Sequence, residues 1–197
     1  MRKVDIVKLV ISYLNLVRLV PHVICYFLYY DRLKEDLEVA RTHRRMTCSI
    51  FSMFLYQLVF DKFYRTLFYH RIGYVSYGFS FLLPAHNCFS IGTDVNVGGG
   101  VLLLHPFSTI INAQEIGRGL VIKNNVTIGY NYDKRPIIGD NVTIHVNCVI
   151  SGGIHVGNNV VIGAGTILFK SVPDNCTVVG NPACIVKKDG EKVHIPL

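Results

Sequence analysis

The chain has 197 residues, half of them hydrophobic, with 17 Gly, no Trp and a formal net charge of +7. Such a length supports one or two domains, and such a composition supports a folded, sheet-rich protein and excludes a disordered one. The surplus charge is local, because residues 1–71 hold 12 Lys and Arg against 6 Asp and Glu, while residues 72–197 hold 8 against 7. A basic N-terminal third suits an anionic surface such as a membrane, whereas no nucleic-acid reading motif accompanies the charge and no nucleic acid is expected as partner.

In chain order, residues 4–30 are apolar enough for a helix, which Pro21 should kink or restart. Asp5 and Lys8 interrupt the apolar run, so the start does not read as a cleavable signal. The longest clean stretch, residues 19–30, is short of the ~20 residues that cross a bilayer. Residues 31–45 are the most charged part and read as an exposed helix or linker ending in Arg41, His43, Arg44 and Arg45. Residues 46–70 read as one aromatic-rich helix with Phe51, Leu55, Leu58, Phe63 and Leu67 available for one face. This third of the chain fits either a cap or oligomerisation module, or a helix pair lying on an anionic membrane.

At Gly73 the texture changes to short strands broken by Gly, Asn and Asp. Aliphatic residues recur every six positions at Ile138, Ile144, Ile150, Val156, Ile162 and Leu168. A period of six belongs to neither helix nor ordinary strand and describes a coil that offers one side chain per repeat to a central stack, a parallel β-helix. The ladder extends back through Ile91, Val97 and Leu103, slips by one residue, and resumes at Ile110, Ile116, Ile122 and Ile128. Val142, Cys148, Ile154, Val160 and Thr166 form a second inward set. Between Ile128 and Ile138 lies a four-residue insertion within YNYDKRP, which must loop out. Beyond Leu168, Pro173 and Pro182 interrupt the ladder, and the end should fold back over the coil. The domain reading is therefore a helical leader over 1–72, a β-helix over 73–187 with a loop near 130–136, and a C-terminal tail over 188–197.

His105 sits where the ladder slips, between an apolar run and Pro106. A histidine there can act as general base for a hydroxyl or be a hydrogen-bonded corner residue. His145 and His155 read as packing residues, and His22, His43 and His70 as structural or interfacial. The six cysteines form no CxxC pair and read as reduced thiols in a cytosolic core. No metal, serine-hydrolase or phosphate-loop motif is present.

The stretches GGGVLLLHPFSTIINAQEIGRGLVIKNNVTIG, PIIGDNVTIHVNCVISGGIHVGNNVVIGAGTILFKSVPDN and VVGNPACIV resemble the left-handed β-helix of hexapeptide-repeat acyltransferases, within them the serine acetyltransferase group. The resemblance covers about half the chain, residues 84–187. It implies homotrimers with active sites between subunits, acetyl-CoA as donor and no metal. His105 falls on the histidine that deprotonates the acceptor hydroxyl. The pantetheine groove falls near Gly152, Gly153, Gly163, Ala164 and Gly165, with Lys170, Lys187 and Lys188 as partners for the coenzyme phosphates. His86, Asn112 and Arg135 fall near the acceptor. Two positions depart from the pattern. Pro84 stands where the family has an aspartate that assists the histidine, and Arg135 stands where it has a histidine that holds serine. Together with a FDKFYRTLFYHRIG leader similar to that of relatives in surface-polysaccharide synthesis, these departures give the expected function: an O-acetyltransferase acting on a sugar or lipid-linked glycan at the inner face of a bacterial membrane. The alternatives are acetylation of free L-serine, and a non-catalytic β-helix scaffold.

Overall fold

The six-residue period becomes short strands separated by tight corners. In the computed structural model, which describes residues 3–197, three strands and three corners make each turn of a left-handed parallel β-helix. One face carries Phe89–Ile91, Thr109–Ile111, Thr127–Gly129, Val149–Ser151 and Ile167–Leu168; a second carries Asn96–Val97, Glu115–Ile116, Ile137–Ile138 and His155–Val156. The third is built from Leu102–Leu103, Val121–Ile122, Thr143–Ile144, Val161–Ile162 and Cys176–Val179. Parallel register stacks Ile111 on Ile128, Ile128 on Ile150 and Ile150 on Leu168. From Ile116 to Leu168 no ladder residue is more than 1% exposed, and Val142, Cys148, Ile154, Val160 and Thr166 are buried with them. Each turn thus buries branched aliphatics on its neighbours, the main source of stability in a stack of this kind.

The corners use a polar ladder of their own. Asn125, Asn141, Asn147, Asn159 and Asn175 all have left-handed backbones, a conformation Asn tolerates better than most residues. Asn141 donates to Asn159 at 3.3 Å, Asn159 to Asn175 at 3.0 Å, and Asn175 to Asp189 at 3.0 Å. One expectation is corrected here. The inward residue after the slip is Ile111 (1% exposed), not Ile110 (52% exposed). The corner between Leu103 and Ile111 is two residues longer than a repeat, because the chain turns through left-handed His105 and Ser108 before rejoining the ladder. At the far end Cys184–Lys188 and Glu191–Pro196 pair antiparallel and extend the third face, so most of the last ten residues are strand.

The chain divides into two compact units, Met1–Asn87 and Cys88–Leu197. The first is helical. Helices α1 (Lys3–Leu14) and α2 (Val20–Leu28) are separate, with Pro21 in the first turn of α2, where its missing N–H costs nothing. The charged stretch forms α3 (Tyr30–His43), which is no linker, since Leu33, Leu37 and Ala40 are buried along one side. Residues 46–70 form two helices, not one: α4 (Ile50–Phe60) and α5 (Lys62–Ile72). The break is at Asp61, whose carboxylate accepts from the N–H groups of Phe63 and Tyr64 at 3.0 and 3.1 Å and starts α5 as an N-cap. Gly73, at φ +65°, ends α5, and two short 3-10 turns, Gly73–Gly78 and Ser80–Leu82, follow.

Candidate active site

The irregular corner is anchored to the next turn while its histidine is left outside. Leu104 N–H donates to Ile122 O at 2.9 Å, which keeps the strand in register up to the residue before His105. The chain then turns sharply, with Phe107 N–H donating to His105 O at 2.6 Å. Phe107 O accepts from Asn125 N–H at 2.7 Å, and the buried Thr109 hydroxyl accepts from Val126 N–H at 3.2 Å. A left-handed backbone at a residue with a Cβ costs on the order of 1–2 kcal/mol, and these anchors hold it there. The His105 side chain is exposed, and among the described residues its ring nitrogens have no hydrogen-bond partner within the chain. Both nitrogens are therefore free to meet a substrate hydroxyl and an orienting group.

Two side chains that sequence reasoning did not join lie on the same face, in the turns that follow. Lys123 and His145 each come one residue after the third-face strands paired with Leu102–Leu103 in succession. The Lys123 ammonium donates to His145 Nδ1 at 3.0 Å, so the neutral ring carries its proton on Nε2. Burial, with help from Lys123, holds the His145 pKa below its usual value.

The insertion loop projects from the second face, as expected, and Arg135 is held there. Its Nη1 donates to Asp94 at 2.7 Å and to Asn112 at 3.4 Å, and the guanidinium lies 5.5 Å from the Tyr130 ring centre. Arg135 and Asn112 are thus brought together, joined by Asp94, which no motif marked. Beneath the loop a cleft of about 480 Å³ is lined by Gln114, Lys134, Arg135, Gly153, His155 and Ser171, among others; His105 is not part of it.

The residues assigned to the donor separate into two groups. A Cβ on Gly153 would lie 2.8–2.9 Å from Lys134 side-chain carbons, and one on Gly152 would lie 3.1 Å from Asn131 Cβ. These two glycines make room for the insertion loop. Gly163 makes room for Val179, 2.7 Å from where its Cβ would be. Ala164 and Gly165 are exposed, and nothing lies within 4 Å of a Cβ built on Gly165, so this corner has the open surface that a slender pantetheine arm needs. Lys170, Lys187 and Lys188 are exposed, the last two on the terminal hairpin. His86 belongs to the helical unit, where its ring stacks on Phe63 with centroids 4.5 Å apart. Pro84 offers no carboxylate, and its carbonyl accepts from Arg65 Nη1 at 2.8 Å.

Repeats of this geometry define a left-handed parallel β-helix, and its irregular corner after Leu104 presents an outward histidine. Residues 135–170 match the family described as bacterial transferase hexapeptide (six repeats). Over 104 residues the chain is 38% identical to serine acetyltransferase of Buchnera aphidicola, covering 47% of this chain and 38% of that protein. Over 108 residues it is 37% identical to serine acetyltransferase of Staphylococcus aureus, covering 52% and 51%. The crystal structure of Neisseria gonorrhoeae serine acetyltransferase superimposes with a TM-score of 0.66 at 26% identity, covering 85% of this chain and 67% of that one. The chain therefore spans about half or less of the length of these curated relatives. These similarities overturn the expectation of a sugar or lipid-linked glycan acceptor and of a role in polysaccharide synthesis, because the relatives are serine acetyltransferases. Part of the physical basis for that expectation also falls away. Arg135, which stands where the family has a histidine, is paired with Asp94.

Proposed function

We propose that the protein is an acetyl-CoA-dependent acyltransferase that acetylates the hydroxyl of L-serine. The observation that carries this reading is His105, exposed and, among the described residues, without an intrachain partner at the irregular corner of a β-helix that is 38% identical over 104 residues to a serine acetyltransferase. A neutral imidazole there can take the proton from the serine hydroxyl as the oxygen forms its bond to the acetyl carbonyl. Acetyl-CoA supplies an activated thioester. The imidazolium then returns its proton to the departing thiol sulfur, leaving O-acetylserine and free coenzyme A. Ala164 and Gly165 leave the surface open for the donor arm, and Lys170, Lys187 and Lys188 offer cations for its phosphates. Arg135, which donates to both Asp94 and Asn112, forms the acceptor-side group with them.

On the same reading three copies associate, and the unpartnered ring of His105 meets a neighbouring copy there, in the bacterial cytoplasm where acetyl-CoA is made. The acceptor assignment is tested by incubating the full chain with acetyl-CoA and L-serine, following thiol release and identifying the product by mass spectrometry. O-acetylserine formed in step with thiol release is the expected result. Thiol release that does not depend on serine, or none at all, overturns it.

A further inference from the structure

Helix α1 is built inside out. Its buried residues are Asp5 and Ser12, while Val4, Ile6, Val7, Val10, Ile11 and Leu14 are each 39–78% exposed. The polar groups are turned inward because they have work there: Ser12 donates to Lys8 O at 2.9 Å, and Tyr13 meets Ser52 of α4 at 2.8 Å. The outward apolar surface continues through the turn and along α2 at Val17, Val20, Ile24, Phe27 and Leu28, of which Val17 is 89% and Phe27 67% exposed. Arg18 Nε donates to Leu82 O at 3.1 Å, which sets this surface beside exposed Phe81, and Phe79 packs on His22 of α2 at 4.7 Å. Tyr74 and Tyr77, also exposed, form a ring pair just before it.

A single helical unit that leaves this many large apolar side chains in contact exceeds what a monomeric surface normally shows, so something covers them. The charges bordering the patch identify the cover. From residue 3 to residue 28 the Asp, Glu, Lys and Arg residues are Lys3, Asp5, Lys8 and Arg18, and Asp5 is 5% exposed. Residues 73–87 contain no Asp, Glu, Lys or Arg. Lys3, Lys8 and Arg18 against buried Asp5 thus give the patch a net positive charge, with Asp31 the first exposed acid beyond it, which matches a surface of negative charge over hydrocarbon. Exposed Tyr74 and Tyr77 have the form of interfacial anchors, an apolar ring with a polar tip. At 1.5 Å per residue α1 and α2 are about 18 and 14 Å long, against ~30 Å of bilayer hydrocarbon, so they lie in the interface and do not span it.

We infer that the outward face of α1 and α2, with the aromatic segment at residues 74–81, docks the protein on an anionic lipid bilayer. The inference does not rest on the acetyl-transfer reading and stands or falls separately. It is tested by floating the full chain with vesicles of phosphatidylcholine alone and of phosphatidylcholine mixed with phosphatidylglycerol. The chain is expected to float with the mixed vesicles and much less with the neutral ones, and high salt should reduce binding. Val17→Asp with Phe27→Asp, both at exposed positions, should lower the bound fraction at least about tenfold while leaving the circular dichroism spectrum unchanged. Wild-type protein that stays in the soluble fraction overturns the inference, as does a double variant that binds as well as wild type. A double variant that sediments as a smaller oligomer than wild type also overturns it, because the face would then join copies of this chain.

Discussion

At the scale of single residues, His22 is fully buried on α2 among Phe68, Tyr69 and Phe79. Tyr69 donates its hydroxyl proton to Leu83 O at 2.7 Å, so His22 Nε2 must donate to the Tyr69 oxygen, 3.0 Å away. The ring is neutral, and Nδ1 has no partner among the described residues. Burial, then Arg65 and Arg18, pull its pKa down to about 4. In the unfolded chain the same ring titrates near 6.5. Between those values the unfolded state binds a proton that the folded state refuses, so stability is complete above pH 6.5 and lost as pH falls toward 4. The loss is about 3 kcal/mol by linkage. Urea titrations at pH 7.5 and 4.5 should show that difference in wild type and a smaller one in His22→Gln. An equal pH dependence in the two proteins would place the acid sensitivity elsewhere. The sequence marked His22 as structural or interfacial, but not its partners or its depressed pKa. The rings packed around it lie 46 to 57 residues away.

At the scale of elements, α3 and α5 are joined by a buried ion pair. Arg71 donates through Nε to Asp36 at 2.9 Å and through a terminal nitrogen at 3.1 Å, with the side chains 7% and 1% exposed. Removing one partner strands the other charge, so Asp36→Ala should cost about 3–5 kcal/mol in chemical denaturation. Replacing both, Asp36→Leu with Arg71→Met, should cost less than Asp36→Ala alone, because no charge is then left unpaired. A double variant less stable than the single one would mean that the pair contributes net attraction beyond its desolvation.

Sequence periodicity found the β-helix strands because every turn repeats the same demand for an inward aliphatic. It failed at three kinds of place. The corner at His105 and Ser108 hid its extra length, since non-glycine residues adopt the left-handed turn there. The Asp61 cap split an apolar run that periodicity reads as one helix. In α1 the apolar residues face outward, and a rule that sends hydrophobic residues inside assigns them the wrong side.

At the scale of the whole molecule, a rigid stack of repeats supplies a platform, and its two irregularities carry the groups suited to chemistry. One presents His105; the other presents the clamp formed by Arg135, Asp94 and Asn112. His105 was named as the candidate base from the break in the ladder together with the family resemblance, and the structure leaves its ring exposed. The clamp was not, because Asp94 and Arg135 are 41 residues apart and meet only when successive turns stack. The expected sugar acceptor rested on Pro84, Arg135 and the leader, and it is the similarity to serine acetyltransferases that overturns it. The central claim, that His105 is the base for acetyl transfer to serine, is tested most directly by steady-state kinetics of the full chain and of His105→Ala with acetyl-CoA and L-serine. The account predicts serine-dependent turnover in wild type and a kcat lower by about 10²–10⁴-fold in the variant, with the fold intact by circular dichroism. A variant that turns over serine at the wild-type rate would contradict it.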